Sequence, residues 1–462
     1  MNPELKTLGR PFARLLVATT VAAALPAHAN DAAEIEKLKA QIEELDQKLR
    51  VLGRKQEIAS EEAAAKQKST PVLTASDKGF GLKSADGQFE YKLRGLVQLD
   101  YRDFGGSAFP NATDGFTARR IRPTFEGTLF GKYGFRFTPE FGENKSAVID
   151  AYLDVKLDPA FQVRLGKFKP FVGLERLQGG ADIRFIERGY VSNNLLPNRD
   201  LGVSVYGDVL GKKLNYAVGL FNGVTDGGEN TTSQDVNSDK EFTARLFATP
   251  FAGSDSVLQG LGFGIAATAG ESNLASPASG AAVGVPGYKT PGQANNFFSY
   301  ASRVASNGKR ERWAPQAYFY RGPFGLIAEY AQVSQGLVNA AAERTTAKNS
   351  AWQLAASWLL TGEDASFRGV RPYNPFRQGE DGGWGAFELV ARYQENRIDE
   401  GLPASFRSTS YALQARSAAI GVNWYLNDSS RLALNYERTR LSGGTLDGKT
   451  EDFLVARYQL AF

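Results

Sequence analysis

The 462 residues carry 54 Lys and Arg against 50 Asp and Glu, a formal charge of +4, so net charge singles out no nucleic-acid or acidic partner and local placement has to do so. There is no Cys, which excludes disulfides and thiolate sites, and the one His (His28) and one Met (Met1) lie in the N-terminal segment, so that a chain cleaved after Ala29 also lacks imidazole metal sites and the usual Ser-His or Cys-His nucleophile pairs. No catalytic residue, metal or cofactor is expected on this basis.

Lys6, Arg10 and Arg14 precede an apolar run from Leu15 to Leu25, and Ala27-His28-Ala29 offers a small-x-small cleavage site, so residues 1–29 read as a secretory signal peptide. Cleavage after Ala29 removes the only His and Met and leaves 51 basic residues against 49 acidic. Ile35, Leu38, Ile42, Leu45, Leu49 and Leu52 then form a heptad seam. Residues 30–56 read as a short coiled coil and hence as an oligomer, with Ile at a and Leu at d leaning towards two strands. Gly53 is expected to end it, and residues 57–78, rich in Ala, Lys, Ser and Thr, read as a linker.

From Phe89 the period changes to two. Tyr91, Leu93, Val97, Leu99 and Tyr101 share one face of the first strand, and Lys92, Arg94, Gln98, Asp100 and Arg102 share the other. Compact turns at Gly131-Lys132, Asp158-Pro159, Gly211-Lys212, Gly322-Pro323 and Asn427-Asp428 alternate with long connections. The long ones are expected over 222–240, 271–310, 332–349 and 394–416. Sixteen strands, short turns on one side and long loops on the other describe an all-β fold, a 16-stranded antiparallel transmembrane β-barrel over residues 79–462 in the outer membrane of a Gram-negative bacterium. The even count puts both ends, and with them the coiled coil, in the periplasm. Aromatics rim the apolar faces as interfacial girdles do, among them Tyr91, Trp313, Trp352, Trp424 and Tyr436. The last strand, alternating to Phe462, is expected to close against the first.

Residues 166–200 interrupt this pattern with a long segment that is both apolar and basic. Phe168, Phe171, Leu174, Ile183, Phe185 and Ile186 supply surface to pack inside a barrel, while Arg176, Arg184, Arg188 and Arg199 supply charge. Such a loop, folded inward, implies a filter for anions. Arg suits that task because its planar fork gives an oxyanion two parallel bonds and stays charged. By strand parity Arg94, Arg120 and Arg122 face the lumen, and Arg119 joins them only if a bulge turns it inward. Arg184 and Arg188, four apart, share a face if their segment is helical. Glu126, Glu140, Asp150 and Asp154 temper the wall. Residues 288–312, with Lys289, Arg310 and Arg312, and residues 361–383, with Arg368, Arg371 and Arg377, either enter the lumen or stay as exposed loops.

The run Ala118-Arg119-Arg120-Ile121-Arg122-Pro123-Thr124-Phe125-Glu126-Gly127, then Val163 to Glu175 (VRLGKFKPFVGLE), then Leu201-Gly202-Val203-Ser204-Val205, in that order and spacing, resembles the phosphate-selective porin O and P family from about Gly79 to Phe462. The resemblance implies a homotrimer of sixteen-stranded barrels narrowed by the third long loop, with inorganic phosphate or other small anions as cargo and outer-membrane lipid around it. It puts Arg120 in a wall ladder and Arg176 and Arg188 at the constriction. Two departures stand out. Gly179-Gly180-Ala181 replaces the hydroxyls and lysine that phosphate-binding members carry in mid-loop, and Arg122 stands where an aromatic is expected. General anion preference survives these changes better than tight phosphate selectivity. The alternative is a general or sugar-selective porin, whose lumen should show an aromatic track; Tyr152, Tyr318 and Tyr320 are its candidates. A barrel enzyme lacks its base once His28 is removed. A mere cell-wall tether leaves the arginine loop without a purpose.

Overall fold

A computed structural model describes residues 29–230, 238–379 and 382–462. The expected signal peptide therefore lies, apart from Ala29, outside the described residues. The chain divides into two units, residues 1–69 and 70–462.

The first unit holds one helix, α1 (Ala29–Ser69). All six residues of the heptad seam are more than half exposed along it. Here the expected boundary is corrected, because the helix does not stop at Gly53. An interior Gly costs about 1 kcal/mol, and residues 57–68, mostly Ala, Glu, Lys and Gln, are strong helix formers that offset it. The i,i+4 pairs Glu44–Lys48 at 2.6 Å and Asp46–Arg50 at 2.8 Å help. Nor are residues 70–78 a linker: Val72–Ser76 pairs with Gly79–Lys83 as a hairpin that joins the barrel through Phe80 opposite Leu93.

The barrel begins with β1 (Glu90–Gly106), β2 (Gly115–Leu129), β3 (Tyr133–Glu140), β4 (Ala147–Asp158) and β5 (Phe161–Phe168). After the long loop come β6 (Asp200–Val209), β7 (Leu214–Phe221), β8 (Glu241–Ala248), β9 (Leu261–Asn273) and β10 (Ala305–Arg321). The circuit ends with β11 (Phe324–Val338), β12 (Arg344–Leu359), β13 (Ala386–Arg397), β14 (Gln414–Tyr425), β15 (Ser430–Ser442) and β16 (Thr450–Ala461). Each strand is antiparallel to the next, and β16 pairs with β1 from Glu451 opposite Gly106 to Ala461 opposite Leu96, which closes a 16-stranded barrel without an edge. Gly95 and Phe462 exchange both backbone hydrogen bonds, at 2.8 and 3.0 Å, and seal the seam.

Outward positions such as Leu354, Tyr393, Ile420 and Leu454 are exposed and apolar, whereas Gln353, Gln394, Ser417 and Asn423 point inward and are buried. Lipid-side apolar and lumen-side polar residues invert the order of a soluble sandwich, as a membrane barrel requires. The described parts of the connection at 222–240, residues 222–230 and 238–240, lie with the connections 274–304 and 398–413 on the side of the long loops, close to expectation. The long loop expected over 332–349 is not there: β11 and β12 stay paired to Val338 opposite Arg344, so only residues 339–343 connect them. Alternation beyond the membrane had masked the turn.

The lumen is filled from three directions. Residues 169–199 fold inward, with short helical turns at Leu174–Leu177 and Val191–Leu195. From the long-loop side, Tyr288, Phe297 and Phe298 join Phe406, Tyr190 and Leu195 in one buried cluster. From the opposite side, the segment around Phe367 also enters: Phe367 stacks on Tyr318 with ring centres 5.5 Å apart, and its carbonyl accepts a 2.8 Å bond from Gln178 Nε2.

Candidate functional site

The loop is positioned by its backbone. Leu174 N and Glu175 N donate to the Glu329 carboxylate on β11 at 2.6 and 3.2 Å, Ile186 N to Asn435 Oδ1 on β15 at 2.7 Å, and Tyr190 N to Gln394 Oε1 on β13 at 2.7 Å. The segment thus rests against β11, β13 and β15. On β2–β5 the inward Arg122, Glu126, Arg136 and Arg164 are half-buried, whereas Arg120, Thr138, Glu140 and Asp154 are buried. Gly189 allows the close approach: a Cβ there would stand 1.9 Å from Gln353 Oε1 and 2.8 Å from Gln394 Oε1. Gly189→Val should therefore unseat the loop and raise single-channel conductance several-fold; unchanged conductance in a folded variant would show that the loop does not set the bore.

Two groups of cations result. The first surrounds Glu187. Arg119 donates to both its carboxylate oxygens at 2.6 and 3.1 Å, and Arg102 to one at 3.1 Å. Arg120 and Arg457 stand 3.9 and 3.6 Å away. Arg119 gets there by the bulge its parity required, a register shift at Gln98/Leu99 that leaves it outside the ladder. Burial works against the charge of Glu187, but Arg119 and Arg120 outweigh it and hold the carboxyl well below the usual range. Arg457 and Arg102 also bind Asp100, and Arg119 also pairs with Glu143 at 3.0 Å, so four cations face three carboxylates and this group is close to neutral.

The second group is not. Lys169 Nζ and Arg188 Nη2 both donate to the Gln178 carbonyl at 2.8 Å. Arg176 Nη1 and Arg199 Nη1 both donate to Asn198 Oδ1, at 3.1 and 3.2 Å. Lys169, Arg176 and Arg188 form no ion pair among the described residues; Arg199 has one, to Asp150 at 2.9 Å. Three of these four cations thus rest on neutral oxygens alone, and Arg176 Nε is buried without a partner. The half-buried Lys169 and Asn198 put this group in contact with solvent in the lumen. An anion there would gain several charged donors, while Asp150 and Glu229, whose carboxylate accepts from Asn198 at 3.2 Å, moderate the field.

The other expected residues are placed differently. Arg94 is exposed near the start of β1 and pairs with Glu126 at 3.3 Å, and Arg122 binds Glu140 at 2.5 Å. Arg184 and Arg188 do not share a helical face, because residues 182–188 are not helical. Arg184 turns to Glu388 at 2.8 Å and the Ser366 carbonyl at 2.5 Å, Arg188 to the carbonyls of Glu175 and Gln178. Arg310 and Arg312 are neutralised by Glu241 and Asp226. Gly180 does more than omit hydroxyls: a Cβ there would come within 3.3 Å of Arg122 Nη1, and its carbonyl accepts from Gln98 at 3.0 Å. The sequence names Arg199 among the arginines of the loop but does not single out Lys169, whose basic character at the start of the loop was the available signal. Arg102 and Arg457 have inward parity, which would have found them too.

The profile of the family described as phosphate-selective porin O and P matches residues 89–462. Porin O of Pseudomonas aeruginosa is 24% identical over 425 residues, covering 85% of this chain and 92% of that protein. Among solved structures, the outer membrane channel DcaP of Acinetobacter baumannii superposes with a TM-score of 0.52 at 14% identity, over 83% of this chain and 99% of that one. Outer-membrane expressed OmpT of Vibrio cholerae gives 0.50 at 11%, over 84% and 100%. These two likenesses show the fold.

Proposed function

Since the chain belongs to the phosphate-selective porin O and P family and is an outer-membrane porin, we propose that it forms an anion-selective diffusion channel for phosphate or related oxyanions. The observation that carries this reading is the pairing of Lys169 with Arg188 and of Arg176 with Arg199 on neutral oxygens, with Lys169 and Asn198 half-buried. At an effective dielectric near 20, one unit charge about 4 Å from an anion contributes roughly 4 kcal/mol before desolvation is set against it. Two or three such contacts bind; more would trap. Asp150, Glu229 and Glu187 keep the sum within the range from which an ion can leave.

The wall arginines Arg119, Arg120 and Arg122 act in this reading as a charged approach whose counter-ions are already present, and Arg94 and Arg184 lie outside the binding step. The alternative of a sugar-selective pore draws on inward aromatics, but Tyr152 and Tyr206 are engaged by the Arg164 guanidinium, 4.2 and 5.2 Å from their ring centres. The exposed seam of α1 supports assembly of several chains through their helices, and we take the oligomer to be a trimer.

Planar-bilayer recording tests the reading. In a chloride gradient the reversal potential should lie on the anion side, and phosphate should block chloride current at submillimolar concentration. Anion preference without block would reduce the proposal to a generic anion porin, and cation preference would overturn it.

A further inference from the structure

The outward face of β13–β15 carries an arrangement that the pore does not use. At their long-loop, extracellular ends, Arg397, Arg416, Arg438 and Arg440 all point outward from the barrel and are exposed. The register stacks them: Glu395, Arg416 and Arg440 lie in one row, Tyr393, Ala418 and Arg438 in the next. Among the described residues, two carboxylates form ion pairs with these four guanidiniums. Glu395 is shared by Arg397 and Arg416, and Asp452 lies 3.7 Å from Arg438. Arg440 has no acidic partner among the described residues.

The next rows down are apolar and small. Ala356, Ala391 and Ile420 stand in register, then Leu389, Val422 and Leu434. Together they floor a groove of about 600 Å³ on the lipid face. Level with the rim residue Trp352 by register, arginines at the interface cost little and are placed to meet an anionic headgroup. An unbalanced basic patch directly above an apolar groove has the two-part chemistry of an acylated phosphate, and at the extracellular end of the barrel that lipid is lipopolysaccharide.

We propose that β12–β15 form a lipopolysaccharide-binding face, on which the lipid A phosphates engage Arg416, Arg438 and Arg440 and an acyl chain lies in the groove over Ala391 and Ile420. The test uses the full chain purified in mild detergent and titrated with bisphosphorylated lipid A, monophosphorylated lipid A or phosphatidylglycerol, with bound lipid counted by native mass spectrometry. Wild type should prefer bisphosphorylated lipid A at least tenfold. Arg416→Gln with Arg440→Gln should lose at least tenfold in that affinity, while single-channel conductance, set by the other side of the wall, stays unchanged; Arg440→Gln alone gives a milder loss should the double variant assemble poorly. Equal binding by variant and wild type, or by phosphatidylglycerol and lipid A, would overturn the proposal. So would a variant that binds lipid A normally but no longer assembles, because the patch would then be a contact between subunits.

Discussion

Lys169→Met combined with Arg188→Gln should abolish anion preference: the reversal potential in a chloride gradient moves to near zero, and the phosphate concentration for half-block rises by about a hundredfold or more. Each side chain gives the same carbonyl of Gln178 a 2.8 Å bond, so an anion that displaces this carbonyl meets both at once. A hydrogen bond to a charged group contributes about 1.5–3 kcal/mol, and each 1.4 kcal/mol is tenfold, so either single variant should lose roughly tenfold to a hundredfold. The fold should tolerate both changes, since neither residue holds an ion pair among those described.

Titration separates the two residues. Burial, and then the charges of Arg188 and Arg199, hold the Lys169 amine well below the ordinary lysine range. An amine is charged below its pKa and neutral above it, so a lowered pKa brings the loss of charge to lower pH. Anion selectivity of the wild type should therefore decline as pH rises towards the usual lysine value, while Lys169→Met shows no decline over the same interval. An equal decline in both would remove Lys169 from the site.

The second large effect is expected at Glu187. Glu187→Gln leaves Arg102, Arg119, Arg120 and Arg457 facing a neutral amide in a buried setting, and breaking a buried pair by removing one partner costs about 3–5 kcal/mol. The urea midpoint of the detergent-solubilised barrel should fall accordingly, and phosphate block events should lengthen because the cluster gains net charge. The pH dependence has a definite sign. The folded pKa of Glu187 lies below its unfolded value, so its contribution is complete above the unfolded value near 4.3, and is lost as pH falls through the folded one. Wild type should approach the variant only in that acid range. A variant with unchanged midpoint and unchanged block would show that Glu187 is not the counter-ion that ties the loop to the wall.

Much of the barrel was legible because a strand between lipid and water has to alternate, and a local pattern of period two survives whatever the rest of the chain does. The parity of Arg94, Arg120 and Arg122 followed from the same rule, and so did the condition on Arg119. The rule gave no warning where polar residues alternate beyond the membrane, as between Gln332 and Asn349, nor at Gly53, where a weak local stop lost to strong helix formers on its far side.

The residues by themselves determined the chemistry on offer: oxyanion donors in abundance, no thiol, a single imidazole within the expected signal peptide, and a loop too apolar to stay in water. Which of those donors are free was decided by tertiary structure alone. Glu187 meets Arg119 from 68 positions away and Arg457 meets Asp100 from 357, and these pairings silence arginines that look equal in the sequence. Coulomb energy falls with distance in space and takes no account of distance along the chain. Closing the barrel is therefore what neutralises Arg119 and Arg184 and leaves Lys169, Arg176 and Arg188 resting on neutral oxygens.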